Sequence, residues 1–298
     1  MELDKKVKFD ALEKMSLRIT QHIVDKINGK KFKILPKKEY FKKLKEKNKE
    51  MKGITPLDLT DFADKDINKD ISFCGTFMVE MDKQKYLKAV IVEIGYLKNA
   101  YSPNANVAIS GSMRSNEPSI IYIHIFMPEK VKDKNLNRNL RSELEIELLR
   151  TIRHELQHSF QYNIMDKKEY DKSIVESAKI ECCFDTKFDK IWEYDKVYFA
   201  NKNEIEAFLK EFILIYKVTG KDVDTLLDEM IEDHLGYIYQ KNFEVYDEKD
   251  VLYSLACNKS NKKEKNMLKE VLETYKEIRK GFWKFIKKYK SKLCYLEK

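Results

Sequence analysis

Leu12, Met15, Ile19, Ile23 and Ile27 recur at three- and four-residue spacings across residues 10–28, and Gly29 follows them. That spacing lines up one face of an α-helix and the glycine ends it, so an amphipathic helix is predicted. After Pro36 the run KKEYFKKLKEKNKEMK is basic and predicts an exposed helix. The periodicity then changes. SFCGTFMVEM and YLKAVIVEIGYL are rich in β-branched and aromatic residues, and the polar turn Asp82-Lys83-Gln84 between them predicts a hairpin. Residues 98–118 carry Pro, Asn, Gly and Ser and predict a loop. SIIYIHIFM, 119–127, predicts a third strand stopped by Pro128.

From 141 onward helical patterns dominate: 141–164, a segment near 173–189, 203 to near 217, another near 221–240, and a long closing helix near 262–292. Helices, then a small antiparallel sheet, then helices again predict an α+β fold with segregated elements, mostly helical. Three regions follow from this order: 1–140 with the first helices and the sheet, 141–245, and a helical extension at 246–298. No internal repeat or low-complexity linker interrupts them.

With 298 residues, 43% hydrophobic and 12% aromatic, the chain has the makings of a sizeable core and not of a disordered segment. Gly (8) and Pro (5) are scarce beside 36% charged residues, which favours solvent-exposed helices over loops. The net charge of +8 is 58 basic against 50 acidic side chains, a mixed surface with a modest basic excess that mildly favours acidic partners. Cys74, Cys182, Cys183, Cys257 and Cys294 are odd in number and lack C-x-x-C spacing, so they read as free thiols in a reducing compartment. No apolar run approaches the ~18 residues a membrane span needs, and the N-terminus lacks the apolar core of a secretory signal. A cytoplasmic protein without a membrane partner is expected.

The chemistry concentrates in HELQH, His154 to His158, which fits H-E-x-x-H. In that pattern two histidines one helical turn apart bind zinc and the glutamate between them activates water. On a helical wheel with His154 at zero, His158 falls at ~40° and Glu155 at ~100°. Leu144, Leu148, Leu149, Ile152, Leu156 and Phe160 fill an arc from roughly 80° to 240°. Arg150, Arg153, Gln157 and Gln161 take the remaining side. The histidine pair therefore borders a core-facing stripe, where an ion can be half buried and still meet solvent.

A catalytic zinc needs a third protein ligand and keeps its fourth position for water. His22, His124 and His234 stand outside the close spacing of a third motif histidine. A later carboxylate is the natural choice. Glu176 in SIVESAK fits a capping box begun by Ser173. Glu206 has a similar local role with Asn203 as N-cap. Glu204 borders the apolar face of its helix, with Phe208, Phe212, Ile205, Ile215 and Tyr216 on that side, whereas Glu206 points outward beside Lys210. Glu204 is preferred, with Glu176 and then Glu206 as alternatives.

RHELQHSFQY followed by YFANKNEIEAFLKEF resembles small zincin-type metallopeptidases of bacteria and phages, in the gluzincin branch. In that branch a glutamate opens an E-x-x-A segment on a later helix, matched here by Glu204-Ile205-Glu206-Ala207. The resemblance covers roughly residues 150–215. It implies one Zn²⁺ held by His154, His158 and Glu204, with Glu155 as general base on a zinc-activated water in the hydrolysis of a peptide or protein. It also implies that a strand just ahead of the motif helix pairs with extended peptide, a role that falls to SIIYIHIFM. His234 and Tyr198 are candidate transition-state donors, set against plain readings as a helical histidine and a packed aromatic. His124 reads as a hydrogen-bonded residue of an apolar strand, and His22 carries no signal.

Two other readings compete. One is a binding protein that keeps the zincin fold without turnover, although a structural site has no use for Glu155. The other is a nucleic-acid module built on KEIRKGFWKFIKKYKSKLCYLEK, whose basic side chains alternate with Phe282, Trp283, Phe285 and Tyr289. Interspersed acidic residues favour a packed, solvated helix there instead.

Overall fold

The computed structural model describes residues 8–50, 69–81, 86–98, 107–113, 117–164, 168–169, 191–245, 247–257 and 261–293. The chain divides into two compact units, Met1–Ile164 and Met165–Lys298. The turn at 82–84, the helix expected near 173–189, Glu176, Cys182, Cys183 and Cys294 lie outside the described residues.

The first unit opens with α1, Ala11–Asn28. Asp10 and Glu13 close a capping box: each side chain accepts the other's backbone N–H, at 2.8 and 2.7 Å, so two otherwise orphaned donors are satisfied. Ile19, Ile23, Val24 and Ile27 of α1 are buried. Strand β1 (Ile34–Pro36) leads into α2 (Lys37–Glu50). This helix is not wholly solvated, because Tyr40 is buried among Ile71, Cys74, Leu97 and Phe126.

The remaining strands are β2 (Ile71–Glu80), β3 (Ala89–Leu97), β4 (Ala108–Met113) and β5 (Ile120–Pro128). They form one sheet in the order β1-β2-β3-β5-β4. The β2–β3 hairpin is antiparallel as expected, but β3 and β5 run parallel, so the sheet is mixed. Strand β4 lies within the segment expected to be a loop, and it takes an edge of the sheet against β5. Strand β5 is therefore paired on both sides, and its backbone is already committed. The role of pairing with an extended peptide cannot fall to 119–127.

Side-chain alternation assigns the two faces. Val90, Val92, Ile94, Ile121, Ile123 and Ile125 point to the face covered by α1 and by α3 (Arg138–Ile164). His124 and Glu93 are opposite each other in register on the other face, 1% and 4% exposed. Their Nδ1 and Oε2 stand 3.3 Å apart, and Tyr40 donates to Glu93 Oε1 at 3.2 Å. His124 is thus fully buried and directed away from the motif helix.

The second unit is helical in its described residues: α4 (Ile191–Tyr198), α5 (Lys202–Thr219), α6 (Val223–Phe243), α7 (Glu248–Cys257) and α8 (Lys262–Leu293). Helix α7 has no counterpart in the expected elements. Phe282 of α8 is 0% exposed, with its ring 5.8 Å from Phe199 and 6.0 Å from Phe208. It is core, and it offers no face for stacking on a base. Mostly helical with one small sheet, the chain is α+β. Among the described residues no helix is long and apolar enough to cross a membrane.

Candidate metal centre

The site begins on α3, which runs through the whole H-E-x-x-H string without a break. Helical geometry makes residues four apart neighbours. His154 and His158 accordingly face each other, with their Nε2 atoms 3.1 Å apart and their rings nearly perpendicular at 76°. Two nitrogens bound at about 2.0–2.1 Å in tetrahedral geometry stand roughly 3.3 Å apart, so the observed separation fits two ligands of one ion.

The second nitrogen of His158 is engaged as well. Its Nδ1 lies 3.1 Å from Gln161 Oε1, and an amide oxygen can only accept. Nδ1 therefore carries the hydrogen and the Nε2 lone pair is left toward the partner imidazole. Gln161 was not among the expected site residues. Its signal was the i+3 spacing from His158, hidden because the wheel assigned it to the polar side.

That assignment is corrected for three residues. Arg153, Gln157 and Gln161 are buried, at 1%, 3% and 5% exposed, and Arg153 Nη1 donates to Gln157 Oε1 at 3.2 Å. The C-terminal half of α3 is thus enclosed well beyond its apolar stripe. His154, Glu155 and His158 are 7%, 8% and 8% exposed, more deeply set than the margin of a stripe would suggest.

Two contacts fix the far end of α3. Ser159 Oγ lies 2.7 Å from the carbonyl oxygens of both Tyr86 and Pro118, which share its one hydrogen, and Asn163 Nδ2 reaches the same two carbonyls at 3.3 Å. Both carbonyls belong to loops that lead into sheet strands, so these bonds set the height of the helix over the sheet. On the same face Gly111 of β4 stands against Thr151 and Glu155.

The N-cap of helix α5 falls two residues earlier than expected. Asn201 is the N-cap, accepting from Asn203 N at 2.9 Å, so Asn203 lies inside the helix and Glu204 occupies the third position. His154 and His158 of the first unit offer two nitrogens to a metal ion, and Glu204 stands near the start of α5 in the second unit. Glu206 lies two positions further along the same helix. Two imidazoles and a carboxylate are a donor set suited to zinc, with net charge −1 when the rings are neutral.

The two candidate donors belong to the second unit and have local partners. The Tyr198 ring stacks on Tyr194 at 5.8 Å and meets Phe199 and Phe208 edge-on, the packed-aromatic arrangement. The His234 ring is edge-on to Phe199 at 5.1 Å. Burial holds its pKa below the usual histidine value, partly opposed by the negative charge of Asp195. Asp195 is buried on α4 and accepts from the Tyr275 hydroxyl; burial pushes its own pKa up. His22 is exposed on α1.

No family model matches the chain, and neither a curated protein nor a solved structure matches it.

Proposed function

We propose that the protein is a zinc-dependent metallopeptidase, with His154, His158 and Glu204 as the ligands of one Zn²⁺ and Glu155 as general base. The observation that carries the reading is the facing pair of Nε2 atoms at 3.1 Å on one turn of α3. Bound zinc would supply Lewis acidity toward water and toward a scissile carbonyl.

The chain's own residues do the rest. The Gln161 contact keeps His158 in the tautomer that presents Nε2. Glu155 follows His154 directly and so projects about 100° away from it on the helix, which suits a proton carrier and not a fourth ligand. A peptide strand would align on the sheet edge at β4, which among the described residues pairs with β5 alone. The buried setting of Glu155 limits competing water and strengthens its interaction with a developing ammonium.

The substrate in this reading is a peptide or an unfolded protein segment. The location in this reading is cytoplasmic, which suits the exposed free thiol Cys257. The Glu155→Gln variant separates an enzyme from a metal-binding protein without turnover. With fluorescent casein as substrate, the parent should cleave and bind one zinc per chain. The variant should bind the same zinc and lose at least about 100-fold in rate. Equal cleavage by parent and variant, or a parent that binds no zinc, contradicts the reading.

A further inference from the structure

Glycines in this chain differ in what surrounds their missing side chains. A Cβ on Gly220 or Gly281 would meet nothing within 4 Å, and on Gly75 or Gly95 it would meet the ring of Phe32 at 2.8 Å or of Phe126 at 3.0 Å, neither of them a residue of the motif helix. Gly111 is different. A Cβ there would come within 2.5 Å of Thr151 Cγ2, 2.7 Å of Glu155 Cγ and 3.1 Å of Glu155 Oε1. Its φ is not in the left-handed region, so space and not backbone conformation demands the glycine.

We propose that Gly111 is a positioning residue for Glu155: its bare backbone lets the edge strand β4 lie directly on the motif helix and act as the wall against which the carboxylate is set. This role rests on the hydrolase reading above.

The geometry supports it on three counts. Gly111 is fixed by its ladder position opposite Ile123 of β5, so it cannot retreat without unzipping the edge. The helix is fixed from its other end by Ser159 and Asn163. The atom in the way is Cγ of Glu155, one bond from Cβ, so a methyl group at 111 cannot be avoided by swinging the carboxylate alone. It forces a change of χ1, and in a helix one of the three χ1 wells is already closed by the preceding turn. The carboxylate then shifts by an ångström or more, a displacement that costs on the order of 100-fold in a reaction that depends on its placement.

The test uses the full chain with Gly111→Ala, and with Gly111→Ala combined with Thr151→Ser, which deletes the Thr151 methyl carbon and leaves the encounter with Glu155. Three quantities are read: zinc per chain, melting temperature of the metal-free protein, and kcat and KM on fluorescent casein. Gly111→Ala should lower the melting temperature, and the double variant should recover most of it. Both should hold one zinc per chain, because the nearest atoms to the methyl group belong to Thr151 and Glu155 and not to a histidine. Both should lose about 100-fold in kcat with KM changed less than about threefold. A double variant with parental kcat overturns the role of Gly111 and leaves the hydrolase reading standing. A parent without zinc or turnover overturns both.

Discussion

Replacing Gln161 with leucine isolates one hydrogen bond that the account needs. Gln161 Oε1 lies 3.1 Å from His158 Nδ1, and the two residues are 5% and 8% exposed. Leucine keeps similar bulk and removes the acceptor. At that burial water has little access to replace it, so the Nδ1–H is left unpaired and the ring loses both its tautomer preference and its orientation. Loss of such an outer partner typically weakens metal binding 10- to 100-fold, about 1.4–2.7 kcal/mol, and the enclosure here points to the upper end. Zinc affinity of Gln161→Leu by competition with a chromophoric chelator should therefore fall nearer 100-fold than 10-fold. Gln161→Glu restores an acceptor at the same place and should stay within a few-fold of the parent. The lost bond also costs the metal-free protein about 1 kcal/mol of stability, which urea denaturation measures separately. Affinity of Gln161→Leu within about twofold of the parent would refute the assignment of His158 Nε2 as a ligand atom.

Two further outcomes test the second unit. Phe282→Ala removes a fully buried ring packed against Phe199 and Phe208 and should cost about 3–5 kcal/mol in urea denaturation; a loss under about 1 kcal/mol contradicts its place in the core. Burial lowers the His234 pKa in the fold, so the unfolded chain takes up the proton more readily; the His234 contribution is present above about pH 6.5 and is lost as the pH falls. Asp195, whose pKa burial raises, titrates in the opposite sense and is kept in the comparison. His234→Gln should therefore show a shallower loss of stability than the parent between about pH 7 and pH 5, and an identical slope would contradict the lowered pKa of His234.

The parts legible in the sequence were those written in local periodicity and capping. Helix α1 with its closing Gly29, the β2–β3 hairpin and the motif helix α3 depend on neighbours in the chain. What escaped depends on distant partners. Strand β4 reads as a loop because Ser110, Gly111 and Ser112 carry turn chemistry. The missing side chain of Gly111 instead serves close approach to Thr151 and Glu155, which no local pattern encodes. The parallel β3–β5 pairing is invisible for a similar reason: the register between residues near 90 and 121 is set by the sheet and not by either strand. Arg153, Gln157 and Gln161 take the side of the wheel away from the apolar stripe, and a buried polar residue with a partner defeats a wheel that sorts polar from apolar. The N-cap of α5 fell at Asn201 and not Asn203 because two asparagines two residues apart offer the same side chain.

The most direct test of the central claim is zinc stoichiometry by mass spectrometry of the intact chain and of three variants, His158→Ala, Glu204→Ala and Glu206→Ala. The account predicts one zinc in the parent and in Glu206→Ala, and loss of tightly held zinc in His158→Ala and Glu204→Ala. A Glu204→Ala protein that keeps its zinc at parental affinity would contradict it.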